Sequence, residues 1–147
     1  MAFRFPLQVV LRVRQSLEQR ERLRLALLTG YIHQLRLQSE TLNEQRAQAW
    51  TNLTERLQDG IVGAELQFET ACMAAFVDRQ KTLLAKIANL EKERTEQERS
   101  FREARKKRKV LENLRGRMLD TYRQIQGRRD QQQMDDMFAI RSARERS

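Results

Sequence analysis

The chain has 147 residues, of which 33% are charged and 39% apolar, and its formal net charge at pH 7 is +9. With one proline and five glycines, this composition is typical of long helices and coiled coils and excludes a compact domain built from many short elements. The single cysteine and single histidine exclude an internal disulfide and a Cys/His metal site.

The first predicted element is a helix over residues 7–58, preceded by Pro6, which suits the first turn of a helix. Two lines of residues repeat in it every seven positions, the spacing at which one stripe of a helix faces a partner helix. These lines are Leu7, Arg14, Glu21, Leu28, Leu35, Leu42 and Ala49, and Leu11, Glu18, Leu25, Ile32, Ser39, Arg46 and Leu53. The charged residues near the start of both lines predict a weaker seam there.

The next feature is a turn over residues 59–63, which read Asp-Gly-Ile-Val-Gly. Aspartate and glycine favour turning, and a glycine just past a helix commonly forms its C-terminal cap. Two helices joined by a short turn lie antiparallel. Folding the chain at the turn therefore places Leu35 opposite Ile87.

A second helix is predicted over residues 64–140. Its main seven-residue line is Phe76, Leu83, Leu90, Gln97, Ala104, Leu111, Met118 and Ile125. A companion line passes through Met73, Ile87 and Phe101 and then slips by one place to Leu114 and Thr121. The predicted fold is all-α, a long antiparallel two-helix coiled-coil hairpin forming a single domain over residues 1–147.

The second helix is longer than the first, so its last part has no expected partner in helix one. It carries Met134, Met137, Phe138 and Ile140, spaced along a helical face. Two interpretations remain open for this tail, a frayed terminal helix or a segment that docks on a partner.

The basic charge is concentrated in residues 99–129, which hold twelve basic and three acidic residues. Such a surface favours an acidic partner, which is a nucleic acid, an anionic lipid or an acidic protein surface. The sequence has no Gly-rich phosphate loop and no Ser/His/Asp set, and a two-helix hairpin offers no enclosed pocket. We therefore expect no catalytic residue, no cofactor and no metal. No apolar run is long enough to span a membrane, so we expect a cytoplasmic protein.

Two stretches, one at the start of the chain and one in the second predicted helix, form sequence motifs. The first is Phe3-x-Phe5-Pro6-Leu7-x-x-Val10-Leu11-x-x-Arg14. The second is the basic run 105–109 followed by Val110-Leu111-Glu112-Asn113-Leu114-Arg115-x-Arg117-x-x-x-x-Tyr122. Both resemble motifs of the FliJ family of flagellar type III export proteins, whose members are also chains of similar length folded at a Gly-containing turn.

The resemblance implies a non-enzymatic stalk similar to the coiled coil of rotary ATPases. Such a stalk binds a hexameric export ATPase, reaches toward the export gate protein in the inner membrane and handles export chaperones in flagellum assembly and motility. It implies a cytoplasmic protein held peripherally at the inner face of the cell membrane. The implied ATPase-binding residues are Phe3, Phe5, Leu7, Leu11, Arg14, Arg105, Lys107, Arg108, Leu111, Glu112, Leu114, Arg115, Arg117 and Tyr122. The implied gate-binding residues are Leu42, Gln45, Ala49, Phe76 and Gln80.

Three other functions remain open. The basic segment fits a nucleic-acid-binding coiled coil, although only Phe101 and Tyr122 supply the aromatic rings that stack on bases, so we expect no nucleic acid. A plain tethering coiled coil and the equivalent stalk of a non-flagellar type III secretion system are the other two.

Overall fold

A computed structural model describes residues 2–147 of the chain. It contains two helices, α1 over Gln8–Asp59 and α2 over Gly63–Arg146. The described residues contain no strand, and the prediction of an all-α fold is confirmed. Helix α2 continues past residue 140, where the sequence analysis ends it.

Local interactions explain why α1 begins and ends where it does. The backbone N–H of Gln8 donates to the carbonyl oxygen of Phe5 at 3.1 Å, so the turn containing Pro6 leads directly into α1. At the other end of α1, Gly60 has a φ of 91°, in the left-handed region that side chains disfavour. The glycine therefore ends α1 in the position of a C-terminal cap.

The described residues form two compact units, each built from parts of both helices. We name residues 2–19 and 102–147 the terminal unit, because it holds both chain ends. Residues 20–101 are the turn unit, because they hold the connection between α1 and α2.

In the turn unit the two helices run antiparallel. The side chain of Gln80 donates to Ser39 Oγ at 2.8 Å, while Arg36 is paired with Glu91. From the first pair to the second, the α2 residue lies nearer the C-terminus and the α1 residue lies nearer the N-terminus. This order of contacts is that of the predicted hairpin.

The core of the turn unit is a single layer between the helices. Its buried apolar residues are Ile32, Leu42, Leu53 and Ile87. Three of the four belong to the seven-residue lines of α1, so the spacing identified the inward side of that helix correctly. The depth of the layer is limited, since only Ile32 is almost fully covered, at 1% exposed.

Two of the charged residues in the seam of α1 link the helices. Gln97, the one polar residue in the main line of α2, donates through Nε2 to the backbone carbonyl oxygen of Glu21 at 3.1 Å and also to the Glu21 carboxylate. In the terminal unit, the buried carboxylate of Glu18 pairs with Arg108. Glu18 and Glu21 thus each have a partner on α2. That the charged residues weaken the seam stays a prediction.

The predicted slip of the companion line in α2 is wrong. Leu114 is 38% exposed and Thr121 is exposed, whereas Arg108 and Tyr122 are partly buried. Arg108 and Tyr122 are one and three sevenfold steps from Phe101, whereas Arg115, at the step between them, is exposed. A search for apolar residues missed this because an arginine occupies an inward position.

The hairpin can be tested by crosslinking inside the turn unit. Cysteines replacing Leu35 and Ile87 in a Cys72→Ser background are expected to crosslink within one chain, because both positions are on the covered sides of their helices. The measurement is the mass of the oxidised product on a non-reducing gel. If oxidation gives only dimers, the helices pair between chains and the turn does not close a hairpin.

Candidate partner-binding surfaces

The net charge of the protein is confined to the terminal unit. Residues 2–19 and 102–147 hold seventeen basic and eight acidic residues, a net charge of +9. Residues 20–101 hold twelve of each and are neutral. The concentration of positive charge is therefore a property of one compact unit.

One member of the basic run 105–109 does not face solvent. The Arg108 side chain is 18% exposed and pairs with the Glu18 carboxylate of α1, which is 7% exposed. Arg108 Nη2 donates to Glu18 Oε1 at 3.3 Å, and Nη1 donates to Glu112 on the next turn of α2. Arg108 is thus a structural link between the helices.

The electrostatic surroundings keep this guanidinium charged. Hydrogen bonds to Glu18 and then to Glu112 raise the pKa of Arg108 above its ordinary value, against a smaller opposing effect of burial. A raised pKa stabilises the folded chain at every pH below the unfolded value and loses its effect only as pH rises through the folded value. That window is above any working pH, so the Arg108 charge is constant in all practical conditions.

The rest of the basic run is available to a partner. Arg105, Lys106, Lys107 and Lys109 are all exposed. Further along α2, Arg115 and Arg117 are exposed as well. These six side chains form what we call the basic surface.

The aromatic residues of the N-terminal motif contribute to the fold of the terminal unit. The ring of Phe3 lies 5.6 Å from that of Tyr122, centroid to centroid, at an interplanar angle of 50°. Phe5 and Leu11 are 7% and 3% exposed. These two buried residues therefore anchor the start of the chain and have little surface left to offer a partner.

The other members of the implied ATPase-binding set differ in exposure. Leu7 is 37% exposed, and Arg14, Leu111 and Glu112 are partly buried. Of these residues, Leu111 and Glu112 lie beside the basic surface in sequence, and the exposed Leu114 lies there too.

The implied gate-binding residues lie in the turn unit, where two of them line an open groove. Leu42 and Gln45 line a hollow of about 650 Å³ together with α2 residues that include Arg79 and Leu83. Gln45 is exposed, whereas Leu42 is 8% exposed and forms part of the core. The lining combines apolar residues such as Leu42 and Leu83 with polar ones such as Gln45 and Arg79, as the linings of binding sites commonly do.

The remaining three gate-binding candidates are partly buried between the helices. Ala49 and Phe76 belong to the seam lines, and Gln80 is held by its hydrogen bond to Ser39. These side chains support the groove more than they offer contact area.

A second hollow of the turn unit was missed by sequence reasoning. It has a volume of about 440 Å³ and is lined by Asn43, Arg46, Ala47, Trp50 and Met73. Trp50 is 60% exposed. Trp50 is the only tryptophan of the sequence and could have indicated this surface, because exposed tryptophans are enriched at protein interfaces.

Comparison with known proteins gives one match. The model of a family described as flagellar FliJ protein matches residues 3–147. Searches of curated proteins and of solved structures found no match. Within residues 2–147, no helix has the length and apolar character needed to cross a membrane, and no group of acidic, His and Cys side chains is arranged to hold a metal ion.

Proposed function

This chain belongs to the FliJ family of flagellar export components, and from that membership we propose that it is the non-enzymatic stalk of the flagellar type III export apparatus. In this proposal the terminal unit binds a hexameric export ATPase, and the turn unit contacts the membrane export gate. The protein escorts export chaperones and is held at the inner face of the cell membrane through these partners.

The observation that supports this assignment most is the division of charge. The terminal unit carries the entire +9, and four exposed cations of the basic surface lie within the five consecutive residues 105–109. Like charges this close repel one another, so an acidic counterpart stabilises them. An ATPase ring with acidic loops is a partner of that kind.

Charge reversal tests the binding of the ATPase. Replacing Arg105, Lys107 and Lys109 by glutamate is expected to weaken binding and to reduce its dependence on salt, because exposed charges mainly set association rate and salt sensitivity. Arg108 is left intact, because glutamate at this position would bring three carboxylates together, its own and those of Glu18 and Glu112. The measurement is the Kd for the isolated ATPase at two salt concentrations.

A matched control makes the same charge change in the turn unit. Lys81, Lys86 and Lys92 are exposed on α2, and their replacement by glutamate is expected to leave the Kd for the ATPase unchanged. Equal loss of binding in both triple variants would mean that net charge alone matters. Loss only in the turn-unit variant would reverse the proposed orientation.

The groove of the turn unit is the proposed contact for the export gate. Replacing Gln45 and Phe76 by alanine is expected to spare ATPase binding and to reduce motility, because both residues lie in the turn unit away from the basic surface in sequence. Retained motility with full protein levels would contradict the assignment of the groove. Tight, steeply salt-dependent binding of DNA by the purified chain would instead favour a nucleic-acid-binding coiled coil.

A further inference from the structure

Two hydrogen-bonded polar pairs lie between the helices of the turn unit. Gln80 Nε2 donates to Ser39 Oγ at 2.8 Å, and Ser39 is 8% exposed. Gln97 Nε2 donates to the backbone carbonyl oxygen of Glu21 at 3.1 Å and also to the Glu21 carboxylate. Ser39 and Gln97 occupy positions that the seven-residue lines more often fill with apolar residues. The seam of this unit is therefore interrupted at two levels by a polar residue with a partner on the other helix.

Hydrogen bonding in the Ser39–Gln80 pair is incomplete. Within residues 2–147, no hydrogen-bond partner reaches Gln80 Oε1, although this oxygen is buried. A buried polar atom without a partner destabilises the folded state, whereas replacing both members of a polar pair by apolar residues is commonly neutral or stabilising. The pair therefore has a role other than stability, and a polar residue in a coiled-coil seam commonly specifies the register at a cost in stability.

The turn offers a second place at which α1 can end. Gly60 has the left-handed φ of 91° that caps α1 in this structure. Gly63 begins α2 without a positive φ, and a Cβ atom built on it meets no heavy atom within 4 Å. A cap at Gly63 in place of Gly60 would move the centre of the turn by three residues. Each residue of α1 would then lie opposite an α2 residue about six positions later, close to the seven-residue repeat.

The apolar residues of the seam do not exclude a register shifted by seven residues. The folding of the chain that places Leu35 opposite Ile87 would, after such a shift, place Leu42 opposite Ile87 and Leu53 opposite Phe76. Both new pairs consist of large apolar side chains. The spacing of apolar residues alone therefore leaves two registers available, about 10 Å apart at a rise of about 1.5 Å per residue.

The polar residues distinguish the two registers. In the shifted register, Ser39 would lie opposite Ile87 and Gln97 would lie opposite Leu28, each seven positions from the present partner. The hydroxyl of Ser39 and the amide of Gln97 would then face aliphatic side chains and lose the hydrogen bonds that they make in the observed register. Because an unpaired buried polar group is costly, the shifted register is disfavoured.

We infer that these two polar pairs select the register of the turn unit and thereby determine which α2 residues complete its groove. The α2 residues that line the groove are Asp78, Arg79, Thr82 and Leu83. A shift by seven residues would replace them with Ala85, Lys86, Asn89 and Leu90. The groove would lose the carboxylate of Asp78, the one acidic group in its lining. Ser39 and Gln80 are thus positioning residues of the groove, whatever partner binds there, and the inference does not depend on the proposed contact with the export gate.

Intramolecular crosslinking reports the register. In a Cys72→Ser background, Ile87→Cys is combined with Leu35→Cys to detect the observed register, or with Leu42→Cys to detect the shifted one. A disulfide requires Cα atoms within about 7 Å of each other, which is less than the shift, so each combination reports a single register. The fraction of chains with an intramolecular disulfide is measured by mass spectrometry after oxidation at low protein concentration. With the natural polar pairs, only the combination with Leu35→Cys is expected to crosslink.

Removing the polar pairs is expected to release the shifted register. We name the variant with Ser39→Leu, Gln80→Leu and Gln97→Leu the leucine-seam variant. Its fraction crosslinked through Leu42→Cys is expected to rise by at least about fivefold, which corresponds to the smallest cost of leaving one buried polar group unpaired. Its stability in urea is expected not to fall, so the shifted product does not come from unfolded chains.

A matched control makes three leucine substitutions at exposed polar positions of the same helices. These positions are Glu40, Lys81 and Asn89. The control is expected to crosslink only through Leu35→Cys. An equal amount of shifted product in the control, or a leucine-seam variant that crosslinks only through Leu35→Cys, would overturn the inference.

Two further variants test the parts assigned to the polar pair and to the second glycine. Exchanging the pair, as Ser39→Gln with Gln80→Ser in a Gln97→Leu background, is expected to restore the observed register, and persistence of the shifted product would overturn the role of the pair. Gly63→Ala in the leucine-seam variant is expected to lower the shifted product, because alanine disfavours the left-handed conformation of a cap. An unchanged amount of shifted product would overturn the role of Gly63.

Discussion

Replacing Arg108 by alanine is expected to lower the free energy of unfolding by an amount near the lower end of about 3–5 kcal/mol, the cost of breaking a buried ion pair by removing one partner. The variant leaves the Glu18 carboxylate, only 7% exposed, without its guanidinium. The lower end applies because two helices cover the pair less completely than a globular core does. Urea unfolding followed by far-UV circular dichroism measures the change.

Two further variants separate the effect of losing the charge on stability from the effect of losing packing. Arg108→Lys keeps the charge but cannot reach Glu18 and Glu112 together, so an intermediate loss is expected. The double change Glu18→Leu with Arg108→Leu is expected to recover most of the stability, because apolar residues of similar size commonly replace a buried pair without loss. If Arg108→Ala costs no more than the exposed change Arg105→Ala, the link between the helices is not a stabilising one.

Replacing Ile32 by alanine is expected to cost about 2–5 kcal/mol, the range for truncating a buried isoleucine. Ile32 is the best-covered side chain of the turn unit, at 1% exposed. Leu90→Ala and Leu111→Ala are expected to cost less than Ile32→Ala, because both leucines are only partly buried. The measurement is again the free energy of unfolding in urea.

Lys107→Ala supplies the reference for this series. Lys107 is exposed on the basic surface, so its removal is expected to change stability by no more than about 0.5 kcal/mol. A series in which Lys107→Ala costs more than Ile32→Ala would show that the inward side of α1 has been assigned wrongly.

The Arg108 variant and the charge-reversal variant affect ATPase binding for different reasons. The Arg108 variant weakens the terminal unit beside the basic surface, so reduced ATPase binding there would combine unfolding with loss of charge. The charge-reversal variant that retains Arg108 avoids this, because its three changes are all at exposed positions. Binding data on the two variants together distinguish the electrostatic contact from the integrity of the unit.

The sequence by itself determined the secondary structure and the inward side of α1. In the seven-residue line through Leu11, Ile32 and Leu53, every residue except Arg46 is buried or partly buried, as the spacing predicts. Helix formation and seam spacing are local properties of the chain, and a single glycine-containing turn left few alternatives for connecting the helices. The two end motifs were also sufficient to indicate the family that the family model matches.

Tertiary structure alone decided which polar residues face inward. Arg108 reads as one of five consecutive cations in the sequence, and only its neighbour across the seam, Glu18, makes it a structural residue. The same holds for Leu23 and Leu27, whose exposure follows from α2 covering the opposite side of α1. A periodic pattern states which residues share a side of a helix, but the side that is covered depends on where the second helix lies.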